Sequence, residues 1–179
     1  MGAVNPNLLD NWYFVNPINS RPRYKVGDTV TGDNAIFDKW LCTNGILRDN
    51  GVEFKTSGSR YILTRLSNEL RDILDGQDIT ISALFDDKLC VNSTKFTKGS
   101  SGSYNGVGYQ HNSSGIAEIF ESGHSGLLKA MKLELGSVQT LAHKDKNGKW
   151  VLNEIPNYAE QKMICSQYSD KTGALFVSS

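Results

Sequence analysis

The chain has 179 residues, of which 39% are hydrophobic, so it is long enough to bury one globular core. Lysine plus arginine and aspartate plus glutamate each number 19, which gives a formal net charge of zero. This balance argues against a nucleic-acid interface, which needs an excess of basic residues. No apolar run reaches the roughly 18 residues of a membrane span, so we expect no membrane segment.

Turn-forming residues recur at short intervals, and the segments between them have the composition of β-strands. This spacing is typical of an all-β sandwich. In the first half of the chain we predict strands over residues 7–14, 35–43 and 61–66. A hairpin of 45–48 with 52–55 is predicted across the turn residues Asp49-Asn50-Gly51. Ser67 is a candidate N-cap for a single helical turn that ends before Asp75-Gly76.

The second half contains the clearest alternation, over residues 78–85, where apolar side chains occupy every second position. Further strands are predicted over 88–97, 116–121 and 127–140. In the last of these we expect Met131, Leu133 and Leu135 to face the core, with Lys132 and Glu134 outside. Since 7–14 and 127–140 should be adjacent strands, we predict a domain over residues 1–142, an antiparallel β-sandwich of jelly-roll type.

After Thr140 the composition changes, and residues 143–179 are predicted to form a C-terminal extension. It should contain a polar hairpin loop at 143–149, a short strand at 150–152, a helix of about three turns from 157 to 168 and an apolar tail. So short a helix is marginal without packing. It should therefore dock on the sandwich or on another copy of the chain.

Four segments, in order, resemble modules of phage tails and tail fibres that contain a carbohydrate-binding jelly roll. They are Asn7-Leu8-Leu9-Asp10-Asn11-Trp12-Tyr13-Phe14, Ala35-Ile36-Phe37-Asp38-Lys39-Trp40, Lys132-Leu133-Glu134-Leu135-Gly136-Ser137, and Pro156-Asn157-Tyr158-Ala159-Glu160 leading to Cys165-Ser166-Gln167-Tyr168. The resemblance implies a non-catalytic structural protein of the virion tail, made in the cytoplasm of a bacterial host. It also implies a homotrimer that contacts other tail proteins and takes part in attachment to the host surface.

Apolar side chains of the extension are the predicted oligomer interface, because they need a surface to cover them. The predicted interface residues are Trp150, Ile155, Tyr158, Met163, Ile164 and Phe176.

The alternative function is a carbohydrate-binding module for a cell-surface glycan. Residues 99–112 are rich in Gly, Ser, Asn and Tyr, which is the composition of adaptable binding loops. In that loop the candidate ligand-binding residues are Tyr104, Tyr109, Gln110 and His111. A flexible, solvated hairpin explains the same composition.

No catalytic motif is recognisable, so we expect no enzyme. His111, His124 and His143 are expected in solvated loops. Glu118 and Glu121 form a carboxylate pair of the kind glycosidases use, but three residues apart on a strand they should face opposite sides.

No Cys/His spacing typical of a metal site occurs, so no metal site is predicted, and Cys42 and Cys90 are expected to be buried free thiols. The resemblance leaves a calcium site open as an alternative, with Asp28, Asp33 and Asn34 as oxygen ligands.

Overall fold

A computed structural model describes residues 4–14, 24–32, 34–56, 58–157, 159–160 and 163. Two six-stranded antiparallel sheets pack face to face, and we number their strands in chain order. Sheet A runs, from edge to edge, β1 (Thr29–Val30), β4 (Gly45–Arg48), β5 (Gly51–Phe54), β12 (Gly126–Leu135), β7 (Asp78–Phe85) and β8 (Leu89–Lys95). Sheet B runs β2 (Asn34–Phe37), β3 (Trp40–Thr43), β6 (Tyr61–Arg65), β11 (Ala117–Ser122), β10 (Val107–His111) and β9 (Gly102–Tyr104).

The chain crosses repeatedly between the two sheets, so neighbouring strands in a sheet are often distant in sequence. The inner faces of both sheets supply one continuous core, in which the largest fully buried side chains include Trp40, Phe37 and Phe85. Burial of this apolar surface is the main stabilising term of the fold. The predicted antiparallel β-sandwich is confirmed.

Several local predictions are also confirmed. Ile79, Ile81, Ala83 and Phe85 of β7 all face the core between the sheets, as the alternation predicts. Strands β4 and β5 form the predicted hairpin, with Arg48 opposite Gly51. One short helix, α1 (Asn68–Leu74), begins where the Ser67 hydroxyl accepts a hydrogen bond from the Leu70 amide. Such a cap satisfies an otherwise unpaired amide at the helix start.

The predicted single strand over residues 35–43 is wrong, because the segment folds back on itself as the β2–β3 hairpin. Asp38 and Lys39 form its turn, and Lys39 has a φ of 74°. Apolar residues on both sides of this turn made two short strands look like one long one.

The predicted opening strand over residues 7–14 is also wrong, since the segment consists of turns and irregular backbone. It nevertheless lies along β12, as the predicted adjacency requires. The Leu8 amide donates to the Leu133 carbonyl and the Met131 amide donates to the Trp12 carbonyl. Between them, the Asn7 side chain accepts from the Leu133 amide and donates to the Met131 carbonyl. The Asn7 amide therefore takes the place of a backbone partner.

The outer face of sheet A is covered, which corrects the expectation that Lys132 and Glu134 face solvent. Both side chains are buried, whereas Leu135 is 48% exposed. The Thr140 hydroxyl joins them, accepting from Lys132 Nζ at 2.9 Å and donating to Glu134 Oε1 at 2.6 Å. This buried polar network is satisfied by residues from outside the strand, as burial of charge requires.

A third sheet, the hairpin of β13 (Ala142–Lys144) and β14 (Trp150–Leu152), confirms the predicted loop and short strand after Thr140. Trp150 and Leu152 pack with Trp12 and Tyr13 on a second apolar cluster outside sheet A. Of the predicted helix 157–168, Ala159, Glu160 and Met163 are helical, and the other residues except Asn157 lie outside the described part. Within the described residues, no helix is both long and apolar enough to cross a membrane.

Candidate functional site

A groove of about 540 Å³ lies on the outer face of sheet B. Strand alternation decides which side chains line it, because every second residue of β6 and β11 points to that face. Register then aligns these side chains in rows across the sheet. The lining residues are Leu41, Tyr61, Leu63, Arg65, Gln110, Asn112, Ser113, Ser114, Glu118, Phe120 and Ser122.

The middle row of the groove is apolar. Leu41 on β3 lies opposite Leu63 on β6, and Leu63 lies opposite Phe120 on β11. The next position, on β10, is Gly108, where any side chain would collide with the backbone of Gly102. The apolar strip therefore ends at the half-buried phenyl ring of Phe120. One row further along, Tyr61 lies opposite Ser122.

The row on the other side of the strip is polar and centres on Glu118, which is only 4% exposed. Glu118 lies between Arg65 on β6 and Gln110 on β10. Its carboxylate accepts hydrogen bonds from Arg65 Nε at 3.2 Å and from Gln110 Nε2 at 2.9 Å. Asn112 Nδ2 approaches at 3.4 Å, while the side-chain oxygen Oδ1 of Asn112 accepts from the Ser114 and Ile116 amides. These bonds hold three planar polar side chains in fixed positions around one carboxylate.

The four predicted ligand-binding residues do not form one surface. Residues 99–112, predicted as a loop, contain the β9–β10 hairpin, and alternation along β10 separates neighbouring side chains. Tyr109 is 2% exposed, and its hydroxyl accepts from the Thr97 amide and donates to the Lys95 carbonyl. The His111 ring lies against Tyr109 and Phe96, and its Nε2 accepts from the Gly99 amide.

The other two residues of that set reach the surface in different places. Gln110 faces the groove, as one of its lining residues. Tyr104 is 63% exposed on the edge strand β9, and it does not line the groove. The structure thus brings only one of the four to the groove.

Most of the groove residues were not predicted from the sequence. The sequence feature that marks the groove is a pair of triplets with a spacing of two residues. They are Tyr61, Leu63 and Arg65 on one strand, and Glu118, Phe120 and Ser122 on another. Each triplet occupies one face by period 2. Nothing in the sequence says that these two strands are neighbours, which is why the triplets could not be combined.

A second polar cluster lies at one end of the sandwich, between the two sheets. The buried carboxylate of Glu121 makes a 2.7 Å hydrogen bond with His124 Nδ1, and His124 Nε2 lies 3.7 Å from Cys90 Sγ. His124 is therefore not the solvated loop histidine that we expected, since its side chain is only 29% exposed. Glu118 and Glu121 face opposite sides of the strand, as predicted.

The order of groups in this cluster is that of a Cys–His–carboxylate triad, but the thiol is not activated. Burial, together with the charge of Glu121, raises the pKa of Cys90 to about 11. Burial also raises the pKa of Glu121, against the opposing effect of its bond to His124. Cys90 therefore stays a protonated thiol near neutral pH, and the thiolate is the form that reacts. Cys42 and Cys90 are both buried, as expected.

The residues proposed as calcium ligands have other contacts where they are described. Asp28 Oδ2 accepts from the Lys25 amide, and Asn34 Nδ2 donates to the Thr31 carbonyl. Asp33 lies outside the described residues. In the described part of the chain, no three His, Cys, Asp or Glu side chains are grouped so as to hold a metal ion.

The predicted interface residues are only partly described. Trp150 is half-buried on the outside of sheet A, with Lys144 Nζ 5.4 Å from its ring centroid. Ile155 is 96% exposed and Met163 is 66% exposed. Tyr158, Ile164 and Phe176 lie outside the described residues.

In comparisons with known proteins, no family model, no curated protein and no solved structure matches the chain. The groove and its residues are therefore the basis for assigning a function.

Proposed function

We propose that this protein is a non-catalytic β-sandwich module that binds a saccharide in the groove on the outer face of sheet B. One observation carries the proposal: an apolar strip that ends in Phe120 runs beside a row of fixed planar polar side chains. A sugar ring has an apolar C–H face and a rim of hydroxyl groups. The strip suits the face, and the polar row suits the rim.

The size and chemistry of the groove support binding rather than hydrolysis. Its volume of about 540 Å³ is in the range of small-molecule sites. Glu118 is the one carboxylate among its lining residues, whereas glycoside hydrolysis generally uses a pair of carboxylates across the scissile bond. The nearest carboxylate along β11, Glu121, belongs to the opposite face.

The test is isothermal titration of oligosaccharides, chosen from a glycan array, into the wild-type protein, Phe120→Ala and Tyr104→Ala. Phe120→Ala should weaken binding at least about tenfold, since it removes the aromatic surface of the strip. Tyr104→Ala is the matched control, an exposed aromatic residue outside the groove, and should change the affinity by less than about twofold. The reverse result would move the site to the β9–β10 hairpin, and an array without any bound glycan would overturn saccharide binding.

A second candidate function is assembly as a homotrimeric module of a phage tail or tail fibre, bound to other tail proteins. The observation that favours it is the exposure of Ile155 and Met163 in the C-terminal extension, because association with another copy of the chain would bury such apolar side chains. Light scattering of the purified chain should give a mass three times 19.8 kDa. Ile155→Ser should lower that mass at a given concentration, and a concentration-independent monomer would exclude this assembly.

A further inference from the structure

The charges in the groove cancel. Among the described residues that line it, Arg65 and Glu118 are the only charged ones, and they form an ion pair with Arg65 Nε 3.2 Å from Glu118 Oε2. Two other arginines donate to backbone carbonyls near the groove. Arg60, which precedes Tyr61, donates to Gly58 and Gly123, and Arg71 donates to Gly115, which follows Ser114. The walls of the groove therefore present hydrogen-bonding groups without net charge.

Glu118 also determines how the polar row is oriented. Its three side-chain donors come from β6, from β10 and from the turn that follows β10. Because Gln110 donates its Nε2 to the carboxylate, its amide oxygen lies on the side away from Glu118. A buried carboxylate with several charge-assisted hydrogen bonds is a rigid anchor, so side chains bonded to it lose little conformational entropy when a ligand arrives.

We infer that the groove takes a neutral, hydroxyl-rich sugar and that Glu118 is the positioning residue that pre-orients Arg65, Gln110 and Asn112 for it. This inference rests on the proposed saccharide-binding function. Hydroxyl groups both donate and accept, which matches a row of amide and guanidinium groups around a neutralised carboxylate. A uronate would bring a second carboxylate beside Glu118 and compete with it for Arg65, and two like charges at short range repel.

The first experiment titrates matched pairs of neutral and uronic-acid oligosaccharides into the intact protein at low and high salt. The neutral member of each pair should bind at least about tenfold more tightly, and its dissociation constant should change less than about twofold between about 50 and 500 mM NaCl. Tighter, salt-sensitive binding of the uronate would overturn the neutral-sugar inference and leave saccharide binding standing. Binding of neither member would overturn both.

The second experiment uses Glu118→Gln, which removes the charge and keeps the size of the side chain. Glu118→Gln should weaken binding of the neutral sugar at least about fivefold. It should also lower the ratio of the neutral-sugar affinity to the uronate affinity, because Arg65 loses its counter-ion. A merely structural role would lower the melting temperature without changing that preference. Glu121→Gln, on the opposite face of β11, is the matched control and should leave both affinities unchanged. If Glu118→Gln keeps the wild-type preference for the neutral sugar over the uronate, the positioning role is overturned. The salt experiment uses only the wild-type protein, so it remains informative even if a variant fails to fold.

Discussion

Glu118 and Glu121 are three residues apart on β11, and both carboxylates are almost entirely buried, at 4% and 1% exposure. Glu118 faces the groove and accepts from an arginine and two amides. Glu121 faces the interior end of the sandwich and bonds to His124. The two residues have the same type and nearly the same burial. The role of a buried carboxylate therefore depends on its hydrogen-bond donors and on the face of the strand from which it projects.

The two faces of β11 should differ most in how much the free energy of unfolding falls when a large side chain is replaced by alanine. Ile119 is fully buried between the sheets, so Ile119→Ala should lower the free energy of unfolding by about 2–5 kcal/mol. Phe120 is half-buried on the groove face, and Phe120→Ala should cost less than half as much. Urea denaturation of both variants measures this. Equal losses would mean that the groove face is part of the core.

Removal of the Glu118 carboxylate tests whether it anchors the polar row of the groove. Glu118→Ala leaves Arg65, Gln110 and Asn112 without their shared acceptor, and it should lower the free energy of unfolding by about 1–3 kcal/mol. Glu118→Gln is the control and should cost less, because an amide oxygen still accepts. Denaturation at neutral pH measures both variants, and a Glu118→Ala protein as stable as the wild type would contradict the anchoring role.

The carboxylate of Glu121 should make the stability of the protein depend on pH. Burial raises the pKa of Glu121 in the folded state above its ordinary value of 4.5, so the folded protein binds that proton more tightly than the unfolded chain does. The resulting stabilisation is complete below the ordinary value and is lost as the pH rises through the folded pKa. Measured by urea denaturation, the stability of the wild type relative to Glu121→Gln should fall as the pH rises over that range. A rise would mean that the bond to His124 outweighs burial.

The smallest effect concerns reactivity rather than stability. Because the pKa of Cys90 is raised to about 11, its thiolate fraction at pH 8 should be about 100-fold lower than in the unfolded chain. Iodoacetamide labelling followed by peptide mass spectrometry should therefore show slow modification of Cys90 in the folded protein and fast modification in urea. Cys42, which is fully buried, is the protected reference. Equal rates for Cys90 in both conditions would indicate an activated thiol.

Local features of the fold were predictable, because their causes lie within a few residues. The alternation of 78–85 predicted β7, the Asp49-Asn50-Gly51 turn predicted the β4–β5 hairpin, and Ser67 predicted the start of α1. The N-terminal segment was different. Its composition indicates a strand, but the Asn7 side chain makes the hydrogen bonds that a strand backbone would make.

The candidate site was predictable only in fragments. Gln110 was predicted from the composition of its segment, whereas Glu118 was considered only as half of a glycosidase pair and was set aside. Tyr109 was selected by the same compositional argument as Gln110, yet it lies in the core, because neighbouring residues of a strand point to opposite faces. Composition cannot distinguish these two positions without knowing which face of β10 is covered.

The sequence alone is sufficient for the class of fold, since turn spacing and period-2 patterning predict strands that bury their apolar faces in an all-β sandwich. It also determined that Glu118 and Glu121 face opposite sides of one strand. The order of β6, β11 and β10 as neighbours in the sheet could be seen only in the tertiary structure. This order places Arg65, Glu118 and Gln110 in one row. The physical reason is that alternation is a property of one strand, whereas a groove depends on the register between strands that are far apart in the chain.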